Sequence, residues 1–269
     1  MFHTLSGKKY ILTGVANKKS IAFSVAKLLK VHGASIDLVL QNSDLAEKIS
    51  PLFPDSTIYI CDVEKPSDLE NFQNQLLQKN SLYHGFLHSI AFANYSEGIK
   101  PFHETKLEDY LQATTISCFS LVELTKILRP FLDLDASVVT MSISNTRATN
   151  YGYMGPIKAA LDSSVAFLAK SLSEVSRIRV NAVCAGPLKT SASAGIPGYI
   201  DGYLFSEQLT MRHAALKTEE VANTVLFLMS PLSSGINATG IVVDAGMSAN
   251  YFDSKVVSAF IEKSYNCPT

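Results

Sequence analysis

Cysteine is scarce in this chain, four residues in all, and no two stand in C-x-x-C spacing. Three of them, Cys61, Cys118 and Cys184, lie inside apolar runs. Neither a disulfide framework nor a zinc site is expected, and a reducing cytoplasm is. Histidine is thinly spread as well: His3, His32, His84, His103 and His213 have no ligand spacing, so no metal is assigned. No stretch reaches the roughly 18 apolar residues that a membrane span needs. The opening "MFHTLSGKKYILTG" lacks both the apolar centre of a signal peptide and the Arg/Ser-rich helix of a transit peptide, so the chain reads as soluble and unprocessed. Charged residues make up only 17% and leave a net charge of −1, without a basic stripe. Nucleic acid and anionic membrane are therefore not expected partners.

What the chain does have is apolar material, 47% of its residues, enough to cover a sheet on both faces. Short β-branched runs ("YILTG", "SIDLVL", "TIYICD", "HGFLHSIAF", "SVVTMS", "RVNAVCAG", "GIVVDAG") alternate with amphipathic ones. "SIAFSVAKLLKVHG" has the helical period, with Gly33 where a C-terminal cap belongs. The alternation predicts an α/β fold: one doubly wound, Rossmann-type domain over residues 1–269, with a mostly seven-stranded parallel sheet and helices on both faces. No linker, internal repeat or low-complexity tract divides it. Residues from about 252 form a tail, either a short amphipathic helix or loose. In such folds ligands bind beyond the carboxyl ends of the strands.

The first of those ends, "TGVANKKSIAFSVAKLL", leads from a strand into a helix, the context in which a dinucleotide's pyrophosphate meets a helix N-terminus. Gly14, Ser20 and Ile21 are its candidate cofactor contacts. Glycine is otherwise missing there, with Ala16 in its place, and an ordinary strand-turn-helix would look similar. After the second strand Gln41 stands where many NAD enzymes carry an acidic residue on the adenosine ribose. Gln can bind both ribose hydroxyls and no Arg lies next to it, which favours NADH over NADPH; Lys18 and Lys19 speak for the phosphorylated form. Asp62 and Val63, ending the third strand, suit an adenine amino group and an apolar ring slot, although Asp62 also reads as a helix cap.

"TNYGYMGPIKAAL" sets two tyrosines before a lysine. On a helix, positions seven apart are turned only about 20° from each other, so Tyr151 and Lys158 would share a face and Tyr153 would point to core or substrate. Pro156 is tolerated only near a helix start, so the helix should begin close to Tyr151 or bend there.

"LSGKKYILTGVANKKSIAFSVAKLL", "HSIAFAN", Tyr151-x6-Lys158 and "NAVCAGPLKTSASAGI" occur in the order found in bacterial NADH-dependent enoyl-acyl-carrier-protein reductases, a branch of the short-chain dehydrogenase/reductase superfamily. The chain resembles that branch from about residue 5 to residue 250. The resemblance implies reduction of trans-2-enoyl thioesters on acyl carrier protein with NADH, in a cytoplasmic homotetramer. Tyr151 would donate to the thioester oxygen, and Lys158 would hold the nicotinamide ribose. Ser89, Ile90 and Ala91 would meet the cofactor through their backbone, Leu188 its carboxamide and Thr190 a phosphate. Residues of about 190–210 would form a mobile lid, a rigid helix pair being the alternative. Ala93, Met154, Ala192, Ile196, Tyr199 and Tyr203 would line the acyl pocket, and Lys189 or Arg212 would belong to a basic patch for the acidic carrier. His88 falls at a buried strand end as a structural residue.

Two departures stand out. The branch's second pocket tyrosine, in a "Ser-Tyr" step, is matched here by Ile143, or by Met141 if ten positions are counted back from Tyr151. Tyr153 is a candidate to replace that hydroxyl. The serine that ketone-reducing relatives carry thirteen positions before the tyrosine is Val138, and Ser142 and Ser144 lie nearer than that spacing permits. A carbonyl reductase, or a dinucleotide-binding paralogue without catalysis, are the competing readings.

Overall fold

The computed structural model describes residues 5–190, 193 and 196–265, with side chains as far as residue 262. Seven parallel strands form one sheet in the order β3-β2-β1-β4-β5-β6-β7: β1 Lys9–Thr13, β2 Ser35–Leu40, β3 Ile58–Ile60, β4 Tyr83–His88, β5 Leu132–Ile143, β6 Arg179–Ala185 and β7 Thr239–Val243. The helices described are α1 Ile21–Val31, α2 Ser43–Ile49, α3 Pro66–Lys79, α4 Leu107–Thr114, α5 Ser120–Leu128, α6 Met154–Ser173, α7 Tyr199–Leu209, α8 Thr218–Met229 and α9 Ser254–Tyr265. This is the doubly wound domain that the alternation predicts.

Two apolar layers hold it together. One packs Phe72 and Leu76 of α3, Leu121 and Leu124 of α5, and Ile157, Leu161 and Val165 of α6 against one sheet face. The other packs Val25 and Leu29 of α1, Ile49 of α2, and Val221 and Val225 of α8 against the opposite face. Covered on both sides, β6 buries all seven residues of "RVNAVCA", which is why its sequence shows no alternation.

Local signals set the helix ends. Ser20 caps α1 by accepting from Phe23 N–H at 3.3 Å, while Ala22, Val25, Ala26 and Leu29 turn one buried stripe to the sheet. Pro156 occupies the third position of α6, where a missing N–H leaves no hydrogen bond unmade.

Some boundaries differ from the sequence expectation. "HGFLHSIAF" is not one strand: β4 ends at His88, and Ser89 onward is loop. β5 starts earlier than "SVVTMS", at Leu132, with a register irregularity against β4 between Tyr83 and Gly85. The tail contains helix α9, whose Val257, Phe260 and Ile261 are exposed. Among the described residues no helix is long and apolar enough to cross a membrane.

Candidate active site

β1 and β4 are neighbours in space, and the strand order reverses between them, which opens a crevice at their carboxyl ends. Thr13 ties the two ends together: its Oγ1 donates to the Leu87 carbonyl at 3.0 Å and accepts from Ser89 N–H at 3.0 Å. The chain then turns at Gly14, with φ +82°. A Cβ there would lie 1.9 Å from the Ser89 carbonyl oxygen, so both the turn and the close approach require glycine.

The crevice is a cleft of about 510 Å³. Gly14, Ser20, Ile21, Gln41, Asp62 and Val63 line it. Ser89, Ile90, Ala91, Tyr151, Lys158 and Thr190 line it too, Ser89 lying directly against Gly14. The structure thus gathers eleven of the twelve predicted cofactor contacts, together with both predicted catalytic residues, around one space; Leu188 is the exception. Lys18 and Lys19, which argued for NADPH, are exposed and do not line it.

Tyr151 reaches the cleft by a different route from the one its spacing suggests. It does not share a helix with Lys158: it ends a 3-10 turn, Thr149–Tyr151, and α6 starts only at Met154. Gly152, at φ +61°, reverses the chain between them. The two side chains converge because turn and helix both face the cleft, not because of helical periodicity. Tyr95 braces the turn by donating to the Tyr151 carbonyl at 2.9 Å. No group among the described residues bonds the Tyr151 hydroxyl, and burial, with Tyr199 nearby, pushes its pKa up to about 12. It is a neutral donor at physiological pH.

Lys158 is buried, 4% exposed, and its Nζ donates to the Met141 carbonyl at 2.9 Å. Burial drives its pKa down to about 8, against the opposing pull of Asp162, Cys118 and Cys184. His88 is fully buried, its ring nitrogens 2.8 Å from Thr140 Oγ1 and Ser120 Oγ. Burial and the Lys158 charge lower its pKa to about 3, so it stays neutral and serves the packing.

Ile21, Ala91, Phe92, Ser142, Tyr151 and Thr190 form a wall shared with a second, mostly apolar cleft of about 410 Å³. Ala93, Met154, Ile196 and Tyr199 line this second cleft, as does Ile143. Ala192 lies outside the described residues. Tyr203 does not line it: Tyr203 is buried on the far side, under the Lys189 ammonium at 4.5 Å. Tyr153 offers no replacement hydroxyl, because its OH donates to the Asn94 carbonyl at 3.0 Å and its ring packs on Tyr95. Ser142 and Ser144 border the second cleft, although neither stands at the thirteen-residue spacing of ketone-reducing relatives. Arg212 is no free cation for a carrier protein; it forms a two-pronged pair with Glu220 at 2.6 and 2.7 Å.

Leu188 sits at the second cleft, not the first, and its backbone is occupied. Its N–H donates to the Tyr199 hydroxyl at 2.8 Å, and that hydroxyl donates back to the Leu188 carbonyl at 2.9 Å.

The family described as "Enoyl-(Acyl carrier protein) reductase" matches residues 14–248, nearly the whole of this architecture. The chain belongs to that family. The NADH-dependent enoyl-acyl-carrier-protein reductase FabI of Rickettsia typhi is 33% identical over 247 residues, covering 90% of this chain and 94% of the relative. The crystal structure of FabI from Candidatus Liberibacter asiaticus superposes with a TM-score of 0.87 at 30% identity, covering 93% of this chain and 98% of that one. The enoyl reductase of Anaplasma phagocytophilum, solved in complex with NAD, gives 0.85 at 28% identity, covering 93% and 97%.

Within this enoyl reductase the structure adds residues that motif reading missed. A π-helical turn, Thr115–Phe119, places Ile116 in the first cleft, and its Ser117 hydroxyl accepts from Phe92 N–H at 2.9 Å and donates to the Phe92 carbonyl at 3.0 Å. Tyr95 and Met247 complete the second cleft. Single residues in a loop or a short irregular turn carry no periodic pattern, so no sequence signal marked them.

Proposed function

We propose that this chain reduces trans-2-enoyl thioesters carried on acyl carrier protein, with NADH as hydride donor, in fatty-acid elongation. The observation that carries the reading is the junction of the two clefts. There a phenol with no described protein partner, Tyr151, stands between a dinucleotide-sized space and an apolar one, and a buried lysine, Lys158, lines the first beside it.

The residues present fit NADH. Gly14 leaves room for backbone approach beside the N-terminus of α1, Gln41 is exposed to the cleft without a neighbouring arginine, and Asp62 and Val63 close the far end. Gly14, Ser20 and Ile21 would hold the pyrophosphate with Thr190, and Ser89, Ile90 and Ala91 would lie along the cofactor. Leu188, although it lines the second cleft, would meet its carboxamide where the two clefts share a wall. When bound, NADH would supply the hydride for the β-carbon of the enoyl group, leaving NAD+ and an enolate whose α-carbon takes its proton from water.

The chain's own part is electrostatic. As charge builds on the thioester oxygen, Tyr151 donates to it, a contact worth about 3 kcal/mol when the donor is preset. With its pKa raised by burial, the phenol keeps its proton until that moment. Lys158, pinned by the Met141 carbonyl, binds the nicotinamide ribose and keeps positive potential behind the oxyanion. Ala93, Met154, Ile196 and Tyr199 exclude water from the acyl chain, and the segment of about 190–210 serves as lid. Exposed Phe167 on α6 and Phe119 beside α5 support burial against further copies, in keeping with a cytoplasmic tetramer.

The test is NADH oxidation with crotonyl and longer trans-2-enoyl thioesters, run beside a panel of ketones and aldehydes. Enoyl-dependent turnover without carbonyl turnover is expected. Carbonyl reduction alone would assign Ser142 or Ser144 the donor role instead, and NADH binding with neither activity would mark a paralogue that has lost catalysis.

A further inference from the structure

The occupied backbone of Leu188 asks for an explanation. Leu188 is buried, 4% exposed, so its N–H and C=O need partners. One atom, the Tyr199 hydroxyl oxygen, serves both, accepting at 2.8 Å and donating at 2.9 Å. A group that offers one donor and one acceptor to a single residue's backbone does what a primary carboxamide does. A wall residue would need no hydroxyl for this: phenylalanine would line the cleft equally well.

We infer that the Tyr199 hydroxyl is an internal substitute for the cofactor's carboxamide, holding the Leu188 peptide groups until NADH displaces it. The inference rests on the reading of Leu188 as the carboxamide seat. Tyr199 is well placed for the exchange: it opens α7 directly after Gly198, whose φ is +69°, and it also walls the acyl cleft. Displacing its hydroxyl therefore frees the start of α7 at the moment the carboxamide seats, and links cofactor binding to the shape of the acyl cleft. While the phenol holds Leu188, only a fraction of molecules can accept the carboxamide, and apparent NADH affinity falls by that fraction. The Leu188 carbonyl also accepts from Thr190 N–H at 3.0 Å, so departure of the phenol leaves it a donor, and the exchange turns on the Leu188 N–H.

The test compares the native chain with Tyr199→Phe and Tyr199→Leu, titrating NADH by its own fluorescence and ADP-ribose by calorimetry. ADP-ribose keeps the adenine, pyrophosphate and second ribose but has no nicotinamide. Replacing a hydroxyl whose hydrogen bonding is worth about 1 kcal/mol net should tighten NADH binding roughly fivefold in both variants, with ADP-ribose unchanged. NADH bound equally or more weakly by both variants overturns the inference and leaves the Leu188 reading standing. A parallel change in both ligands also overturns it, since the effect would be a general loosening of the site. If the native chain binds ADP-ribose but gains nothing from the nicotinamide half, the Leu188 reading itself fails and the inference falls with it.

Discussion

Lys158 ties the chemistry to pH in a way that can be measured against folding. Its ammonium has one carbonyl partner and is buried, and the burial lowers its pKa from the ordinary 10.5 to about 8. At about 1.4 kcal/mol per pH unit, burial disfavours the charged form by about 3 kcal/mol. Below pH 8 the lysine is charged; above it the positive potential behind Tyr151 disappears. Both NADH affinity and kcat/KM for an enoyl thioester should therefore fall as pH rises through about 8. Tyr151 cannot produce that limb because its pKa is near 12, and His88, near 3, lies on the other side.

The sign for stability is the reverse. Between about pH 8 and 10.5 the unfolded chain holds a proton on Lys158 that the folded chain has lost, so this residue adds stability as pH rises through that window. The buried thiols Cys61, Cys118 and Cys184, whose pKa values are raised, act in the opposite direction. The effect must be read as the difference in urea unfolding between the native chain and Lys158→Met, which should grow in favour of the native chain by up to about 3 kcal/mol from pH 8 to 10.5. Activity and this stability difference thus move oppositely, which separates deprotonation from alkaline unfolding. Asp162→Asn, removing the main charge that favours the ammonium, should shift the activity limb below pH 8. Activity that stays flat to pH 9.5, or a limb that Asp162→Asn leaves in place, would refute the argument.

Tyr151→Phe should lower enoyl turnover by about 10²–10³, the usual loss for one preset oxyanion donor, while NADH affinity measured by fluorescence stays unchanged. Because no described residue bonds its hydroxyl, the same variant should unfold within about 0.5 kcal/mol of the native chain in urea. Gly14→Ala forces a Cβ to 1.9 Å from the Ser89 carbonyl at φ +82°; thermal unfolding should show a loss of more than about 2 kcal/mol, and NADH binding should weaken with it. His88 stays neutral to about pH 3, so between pH 6.5 and 3 the unfolded chain takes up a proton that the folded one refuses. Its contribution to stability should drop by about 1.4 kcal/mol per pH unit across that range, seen as a gentler acid slope in His88→Asn.

Much of the site could be read along the chain because strand ends in a doubly wound sheet are local features. Gly14, Gln41, Asp62 and Ser89 each follow a recognisable apolar run, and the fold brings such ends to one edge whatever lies between them. The structure brings Tyr151 to the cleft, but by another route than its spacing suggests. The seven-residue interval matched a helical face, yet the phenol stands on a separate turn set by Gly152 and Tyr95. Tyr203 leaves the acyl wall, and Tyr153 takes the core rather than the substrate side, because an aromatic in an apolar segment does not disclose which neighbour will take its hydroxyl.

Sequence alone determined the alternation of strands and helices, the ligand-bearing edge of the sheet, and the residues presented there. These follow from periodicity and from small residues where backbones must approach. Tertiary structure alone decided how hydrogen bonds are shared across long intervals: Lys158 with Met141, Tyr95 with the Tyr151 carbonyl, and the Tyr199 hydroxyl with both peptide groups of Leu188. A hydrogen bond depends on angles and distances of a few ångströms between residues far apart in the chain, and no local pattern encodes those.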